Sequence, residues 1–103
     1  MEPENTPAAG ACDHAQPAEV AIMAEKYLKA LGVPEPAWDG CRFGYGGHGG
    51  SGPFKSVYTE VERRSGNWVA VKLDRSREDL GPARNGFKVV QLSEAASKFG
   101  PTV

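Results

Sequence analysis

One segment, DHAQPAEVAIMAEKYLKALGVP (residues 13–34), has clear helical periodicity. Its apolar residues recur every three or four positions with charged residues between them, which is the pattern of an amphipathic helix. Asp13 and Gln16 have the spacing of a capping box, and Gly32 followed by Pro34 is typical of a helix end. We expect the apolar face of this helix to pack on the rest of the domain. That face consists of Val20, Met23, Ala24, Tyr27, Leu28 and Leu31.

Later segments have the residue types of β-strands. FKSVYTEVERR (54–64) and WVAVKLDR (68–75) are rich in β-branched and aromatic residues, and turn residues separate them, so they predict a hairpin. FKVVQL (87–92) predicts a third short strand, and SEAASKFGP (93–101) predicts a short helix. We therefore expect a small α+β domain, in which the N-terminal helix packs on a short antiparallel sheet and a short helix ends the chain.

The pairing within the hairpin depends on the length of its loop. A two-residue loop would pair Val61 with Ala70 and mix polar with apolar residues on each face. A three-residue loop, residues 65–67, leaves one face apolar and gives the other favourable polar pairs, so we expect this second register. The pairs that it predicts are Val61–Val71, Thr59–Leu73, Glu60–Lys72 and Arg64–Trp68.

The first residues of the chain have the composition of a disordered segment. The first 17 residues contain three prolines and no large aliphatic or aromatic side chain after Met1. We expect residues 1–12 to form a disordered acidic tail and residues 13–103 to form a single domain. The sequence has neither a signal-peptide pattern nor an apolar stretch of membrane-spanning length, and its two cysteines fit a reduced cytoplasmic setting. Frequent Ala, Gly, Pro and Arg suggest a bacterial or phage source.

Residues 44–52 contain six glycines in nine positions, with His48 among them. Two overlapping G-x-G-x-x-G patterns start at Gly44 and Gly47. The dinucleotide fingerprint needs a helix after the glycines, whereas Pro53 and a predicted strand follow here. We therefore expect a flexible glycine-rich surface loop at 44–52 that binds no phosphate.

The segment GSGPFKSVYTEVERRSGNWVAVKL (50–73) resembles the start of a protein kinase small lobe. Gly50 and Gly52 match the first two glycines of the kinase loop, and the Val-Ala-Val-Lys that ends at Lys72 matches the strand whose lysine contacts the phosphates. The resemblance implies nucleotide binding by this loop and by Lys72. Lys55 replaces the third glycine, and the chain has no His-Arg-Asp or Asp-Phe-Gly motif, so phosphoryl transfer is excluded.

Side chains with the chemistry of zinc ligands are few and badly spaced. Their pattern, C-x-H followed by C-x₆-H, matches no common structural zinc site. Each histidine also lies in a segment that we expect to be mobile, His14 next to the tail and His48 in the glycine run, which does not suit a catalytic group. We expect no metal, no cofactor and no enzymatic activity. The four residues are Cys12, His14, Cys41 and His48.

Charge is unevenly distributed along the chain. Residues 1–41 contain seven acidic and two basic residues, a net charge of −5, and residues 42–103 contain ten basic and six acidic residues, a net charge of +4. Arginine and tryptophan, which are enriched at interface hot spots, lie at or near the hairpin. We expect a small non-catalytic protein-binding module, an adaptor, inhibitor or regulatory protein, that acts through its hairpin face and loops. The candidate binding residues are Arg63, Arg64, Trp68, Arg75, Arg77, Trp38 and Tyr45.

The alternative is nucleic-acid binding by a basic β-ribbon, with arginines on phosphates and Trp68 or Tyr45 stacked on bases. A pI of about 6.1 and acidic residues interleaved with the basic ones argue against it. The two hypotheses differ in one structural consequence: the arginines either form a continuous patch or are each neutralised by an acidic neighbour. The basic residues in question are Arg63, Arg64, Arg75, Arg77, Arg84 and Lys88.

Overall fold

A computed structural model describes residues 16–48, 56–78 and 86–99. The tail expected at 1–12 lies outside these residues. In the described part, one long helix packs on a four-stranded antiparallel sheet and a short helix follows, which confirms the α+β prediction. The elements are α1 (Pro17–Leu31), a 3-10 helix (Glu35–Trp38), β1 (Arg42–His48), β2 (Ser56–Arg64), β3 (Asn67–Ser76), β4 (Gly86–Gln91) and α2 (Glu94–Ser97).

The bounds of α1 follow from its terminal residues. The helix begins at Pro17 with Gln16 in an extended conformation as its N-cap, so the predicted start at Asp13 is wrong. Proline suits the first helical position and disfavours a helical conformation in the residue before it, which explains the late start. Gly32 ends the helix as predicted, with a φ of 83°.

The sheet has the strand order β3-β2-β1-β4, and each neighbouring pair is antiparallel. The predicted hairpin is β2 and β3, and the predicted third strand is β4. The glycine-rich loop predicted at 44–52 is wrong for residues 44–48, which belong to β1; residues 49–52 lie outside the described ranges. β1 pairs on both sides, so backbone hydrogen bonds stabilise a strand whose residues have little strand propensity of their own.

Gly44 shows why glycine is needed in β1. It pairs with Glu60 of β2 and Lys88 of β4. A Cβ atom there would lie 2.9 Å from Cζ of Tyr58 and nearer still to the phenol oxygen. The missing side chain therefore leaves room for the Tyr58 ring to lie against the backbone of β1.

The hairpin combines the two registers considered from sequence. Thr59–Leu73 and Glu60–Lys72 pair as predicted, but a register shift follows Glu60, so Val61 pairs with Ala70. The predicted pairs Val61–Val71 and Arg64–Trp68 are therefore wrong, and Arg63 lies opposite Trp68. The loop has two residues, Ser65 and Gly66, with φ of 51° and 81°. A two-residue turn of this kind matches the twist of the strands. The extra residue at the bulge, Val71, then restores the pairing of polar with polar residues at Glu60–Lys72.

The core lies between α1 and the sheet. Val20, Ala24 and Leu28 of α1 are fully buried, as is Phe43 of β1. Phe43 stacks on Phe87 of β4 with ring centroids 5.6 Å apart, and it makes a T-shaped contact with Tyr27 of α1 with ring centroids 5.7 Å apart. These aromatic contacts hold α1, β1 and β4 together. Ala24, Leu28 and Phe43 form one buried cluster with Val33, Trp38, Cys41 and Ala96.

Candidate functional site

Arg63 is a buried cation on the α1 side of the sheet, near the tip of the hairpin. Its side chain is 8% exposed. The guanidinium carbon lies 5.0 Å from the ring centroid of Trp38 and 5.4 Å from that of Trp68. Indole rings are only weakly polar, but cation–π contacts with two of them offset part of the cost of removing this charge from water.

Three carboxylates from other elements surround the Arg63 guanidinium. Nη2 donates to Oε2 of Glu35 at 3.0 Å, Nη1 donates to Oε2 of Glu25 at 3.5 Å, and Nε lies 4.0 Å from Oδ1 of Asp39. The Trp68 indole Nε1 also donates to Oε2 of Glu25, at 2.8 Å. One cation therefore faces three anions, which leaves the cluster with a formal charge of −2.

An open pocket of about 380 Å³ lies at this cluster. The backbone N–H of Gly66, in the hairpin turn, donates to Oδ1 of Asp39 at 3.0 Å and holds that carboxylate at the pocket. The side chains of Glu35 and Asp39 are 66% and 52% exposed, so both retain oxygens that can accept further hydrogen bonds. The pocket is lined by Glu35, Pro36, Asp39, Arg63 and Gly66, and we call it the Arg63 pocket.

The opposite side of the sheet has a different charged cluster, centred on a carboxylate. We call this side, which carries Arg42, Tyr58, Glu60 and Lys72, the open face. Glu60 is nearly buried; its Oε1 accepts from Nε of Arg42 at 2.8 Å and its Oε2 accepts from the Tyr58 hydroxyl at 2.6 Å. Lys72 lies opposite Glu60 in the ladder, as predicted, but its ammonium has Asp74 as an acidic neighbour at 4.0 Å. Both Glu60 oxygens are therefore used within the protein.

The structure brings three of the predicted binding residues together and gives them a role inside the fold. Arg63 contacts the rings of Trp38 and Trp68. Trp38 is buried and its indole N–H donates to the carbonyl oxygen of Val33 at 3.0 Å. Trp68 is half-buried and packs against Phe43. The hairpin arginine thus lines the pocket, and the hairpin tryptophan contacts that arginine instead of forming an exposed hairpin face.

The other four predicted residues lie apart from this group. Arg64 follows Arg63 in β2 and therefore points to the open face, where it donates to Glu62 at 3.2 Å. Tyr45 is half-buried in β1. Arg75 and Arg77 are exposed at and beyond the other end of β3. The predicted set is therefore spread over the 3-10 helix, β1 and both faces and both ends of the hairpin. Arg63 and Arg64 of this set each have a carboxylate within 4.0 Å, as does Arg42.

Sequence reasoning missed the acidic half of the site. Glu25, Glu35 and Asp39 come from α1, the 3-10 helix and the residue after it, and no local motif links them to Arg63. The available signal was the charge imbalance between the two parts of the chain. Ion pairs between acidic residues of the first 41 positions and basic residues of the remainder neutralise part of that charge imbalance.

Cys41 lies in the buried core of the fold. It is fully buried, and its sulfur accepts from the backbone N–H of Ser93 at 3.3 Å. Within residues 16–48, 56–78 and 86–99, no three His, Cys, Asp or Glu side chains are close enough to hold a metal ion. Cys12, His14 and the kinase-like segment from Gly50 to Lys55 lie outside those ranges.

No protein-family model matches this chain, and no curated protein or solved structure is significantly similar to it. In the part of the chain that the structure describes, no helix has the length and apolar character to cross a membrane.

Proposed function

We propose that this chain is a small non-catalytic protein-binding module that accepts a lysine or arginine side chain of a partner protein in the Arg63 pocket. The observation that carries the proposal is the excess of carboxylate at this pocket. Three acids face one guanidinium, and two of them, Glu35 and Asp39, remain more than half exposed at a concave opening. A basic side chain would neutralise that excess, and complementary charges at an interface favour the correct partner.

The surroundings of the pocket support a binding role. Gly66 and Trp68 hold Asp39 and Glu25 by hydrogen bonds, so two of the three carboxylates are oriented before a partner arrives. Groups that are already oriented lose less conformational entropy on binding.

Nucleic-acid binding is less consistent with this geometry. Two of the arginines in that hypothesis, Arg63 and Arg64, each have a carboxylate partner that competes with a phosphate. The formal charge of −2 at the pocket would repel a phosphate backbone. We therefore propose a protein partner, and nucleic-acid binding by the β-ribbon is the alternative outcome of the test.

The test is an amide-shift titration with a peptide that carries one arginine, N-acetyl-Gly-Arg-Gly-amide. The reporters are the backbone N–H of Gly66 and the indole N–H of Trp68, because each donates to a carboxylate of the cluster. Exposed ion pairs contribute about 1 kcal/mol or less each, so we expect saturation only in the millimolar range and weaker shifts at higher salt.

Matched controls separate the pocket from general charge effects. The peptide N-acetyl-Gly-Gln-Gly-amide should leave both reporters unchanged. Asp39→Asn and Glu35→Gln should reduce the arginine-dependent shifts, whereas Glu62→Gln, on the open face of β2, should not. Equal shifts with the glutamine peptide would contradict the proposal. Saturable shifts with a short single-stranded oligonucleotide, at the arginines of the hairpin, would favour the nucleic-acid hypothesis instead.

A further inference from the structure

β3 forms one edge of the sheet. In the strand order β3-β2-β1-β4, it pairs with β2 along one side, and no described strand pairs with its other side. It is the longest of the described strands, with ten residues, and Leu73 near its middle is 48% exposed. An edge strand of this length offers backbone N–H and C=O groups for pairing with another strand.

The sequence of β3 is complementary to itself. If two copies pair in antiparallel fashion with Leu73 opposite Leu73, Lys72 of each copy lies opposite Asp74 of the other. Two ion pairs then form on the open face, and the two exposed leucines meet on the α1 side. Within one strand Lys72 and Asp74 lie 4.0 Å apart, and their side chains are 46% and 39% exposed, so both are accessible to a second copy.

Other registers lose this complementarity. A shift by one residue in one direction places Lys72 opposite Arg75, and in the other direction it removes both ion pairs. A shift by two residues places Lys72 opposite Lys72 or Asp74 opposite Asp74. Like charges directly opposite each other are destabilising, so the charge pattern selects the register centred on Leu73.

We propose that β3 pairs with β3 of a second copy of this chain about a two-fold axis through Leu73. The two four-stranded sheets then form one continuous antiparallel sheet, with the same surface contributed by each copy. The pairing segment lies beyond the bulge near Val71 and away from the hairpin turn, so the Arg63 pocket of each copy stays open. The inference is independent of the proposed function.

Charge reversal tests the register directly. Lys72→Asp sets two pairs of carboxylates opposite each other in a homodimer, and Asp74→Lys sets two pairs of ammonium groups opposite each other. We expect each variant alone to dimerise at least roughly tenfold more weakly than the wild type, as measured by sedimentation equilibrium. An equimolar mixture of the two variants restores both ion pairs, so the mixture should form heterodimers with about the affinity of the wild type.

Controls keep the test decisive. Exchange of charges on the interior strand β2, Glu62→Arg with Arg64→Glu, should leave the dimer unchanged because β2 does not reach the second copy. Circular dichroism checks the fold of each variant. If a single variant does not fold, Lys72→Asp with Asp74→Lys in one chain restores both pairs and must dimerise. A monomeric wild type at about 1 mM, single variants that dimerise as tightly as the wild type, or a mixture that stays monomeric would each overturn the proposal.

Discussion

The two faces of the sheet bury a charge in opposite ways. On the α1 side the buried group is a cation, Arg63, which is surrounded by carboxylates and two indole rings. On the open face the buried group is an anion, Glu60, held by Arg42 and Tyr58. The carboxylates around Arg63 outnumber it and remain partly exposed, whereas both oxygens of Glu60 are used.

The difference separates a cluster that can bind from one that stabilises. A buried charge is tolerated only when oppositely charged partners compensate it, and each cluster supplies such partners, although Nε of Arg63 has no hydrogen bond. Around Arg63 the partners are partly exposed acids with accepting capacity left over, so a ligand can be added without breaking the fold. Around Glu60, whose side chain is only 11% exposed and already accepts from Arg42 and Tyr58, little room remains for a further ligand. The following variants test this comparison.

Removal of the buried cation should have the largest effect. Arg63→Ala leaves Glu25, Glu35 and Asp39 facing one another and opens a gap beside the indoles. Loss of one partner of a buried ion pair costs about 3 to 5 kcal/mol, and the partial exposure of the acids places this variant near about 3 kcal/mol. Urea unfolding followed by tryptophan fluorescence measures it. Arg64→Ala, its exposed neighbour, should change the free energy of unfolding by less than about 0.5 kcal/mol. Equal losses in the two variants would mean that Arg63 is not buried as described.

Substitution of Gly44, on the open face of β1, should reduce the free energy of unfolding almost as much. Gly44→Ala drives a methyl group into the Tyr58 ring, and overpacking of this kind costs about 2 kcal/mol. In a Tyr58→Ala background the clash is removed, so the same substitution should cost much less. A double-mutant cycle on the free energy of unfolding measures the coupling. Additive effects would show that the Tyr58 ring does not lie against β1.

Neutralisation of the buried anion should have a moderate effect. Glu60→Gln keeps the shape of the side chain but removes a charge-assisted hydrogen bond with Arg42. We expect a loss of about 1.5 kcal/mol in the free energy of unfolding. The matched control is Glu62→Gln. Glu62 lies two residues further along β2 on the same face and is more exposed, so this variant should lose less stability. A neutral result for Glu60→Gln would place that carboxylate in solvent.

The smallest effect on stability is expected in the cluster around Arg63. Glu35→Gln leaves Arg63 with two carboxylates, and the side chain of Glu35 is 66% exposed, so the loss should stay below about 0.5 kcal/mol. The same variant should weaken the arginine-peptide shifts at Gly66. A stability loss as large as that of Glu60→Gln would show that both clusters are structural and would remove the basis for a binding pocket.

Several elements could be predicted because their signals are local. Gly32 ends α1, and Ser93 caps α2 by accepting from the backbone N–H of Ala96. β2 and β3 are rich in β-branched residues and have turn residues between them. β1 could not be predicted, because Gly44, Gly46 and Gly47 lack strand propensity and the strand exists only through its pairing with β2 and β4.

The sequence by itself determined the class of the fold, the apolar face of α1 and the presence of a hairpin, since each depends on residues close together along the chain. The tertiary structure decided where the charges lie. The bulge after Glu60 changes the register, so Arg63 rather than Arg64 lies opposite Trp68. Burial of that guanidinium is favourable only because carboxylates from α1, the 3-10 helix and Asp39 converge on it, and such convergence depends on packing between segments distant in the chain.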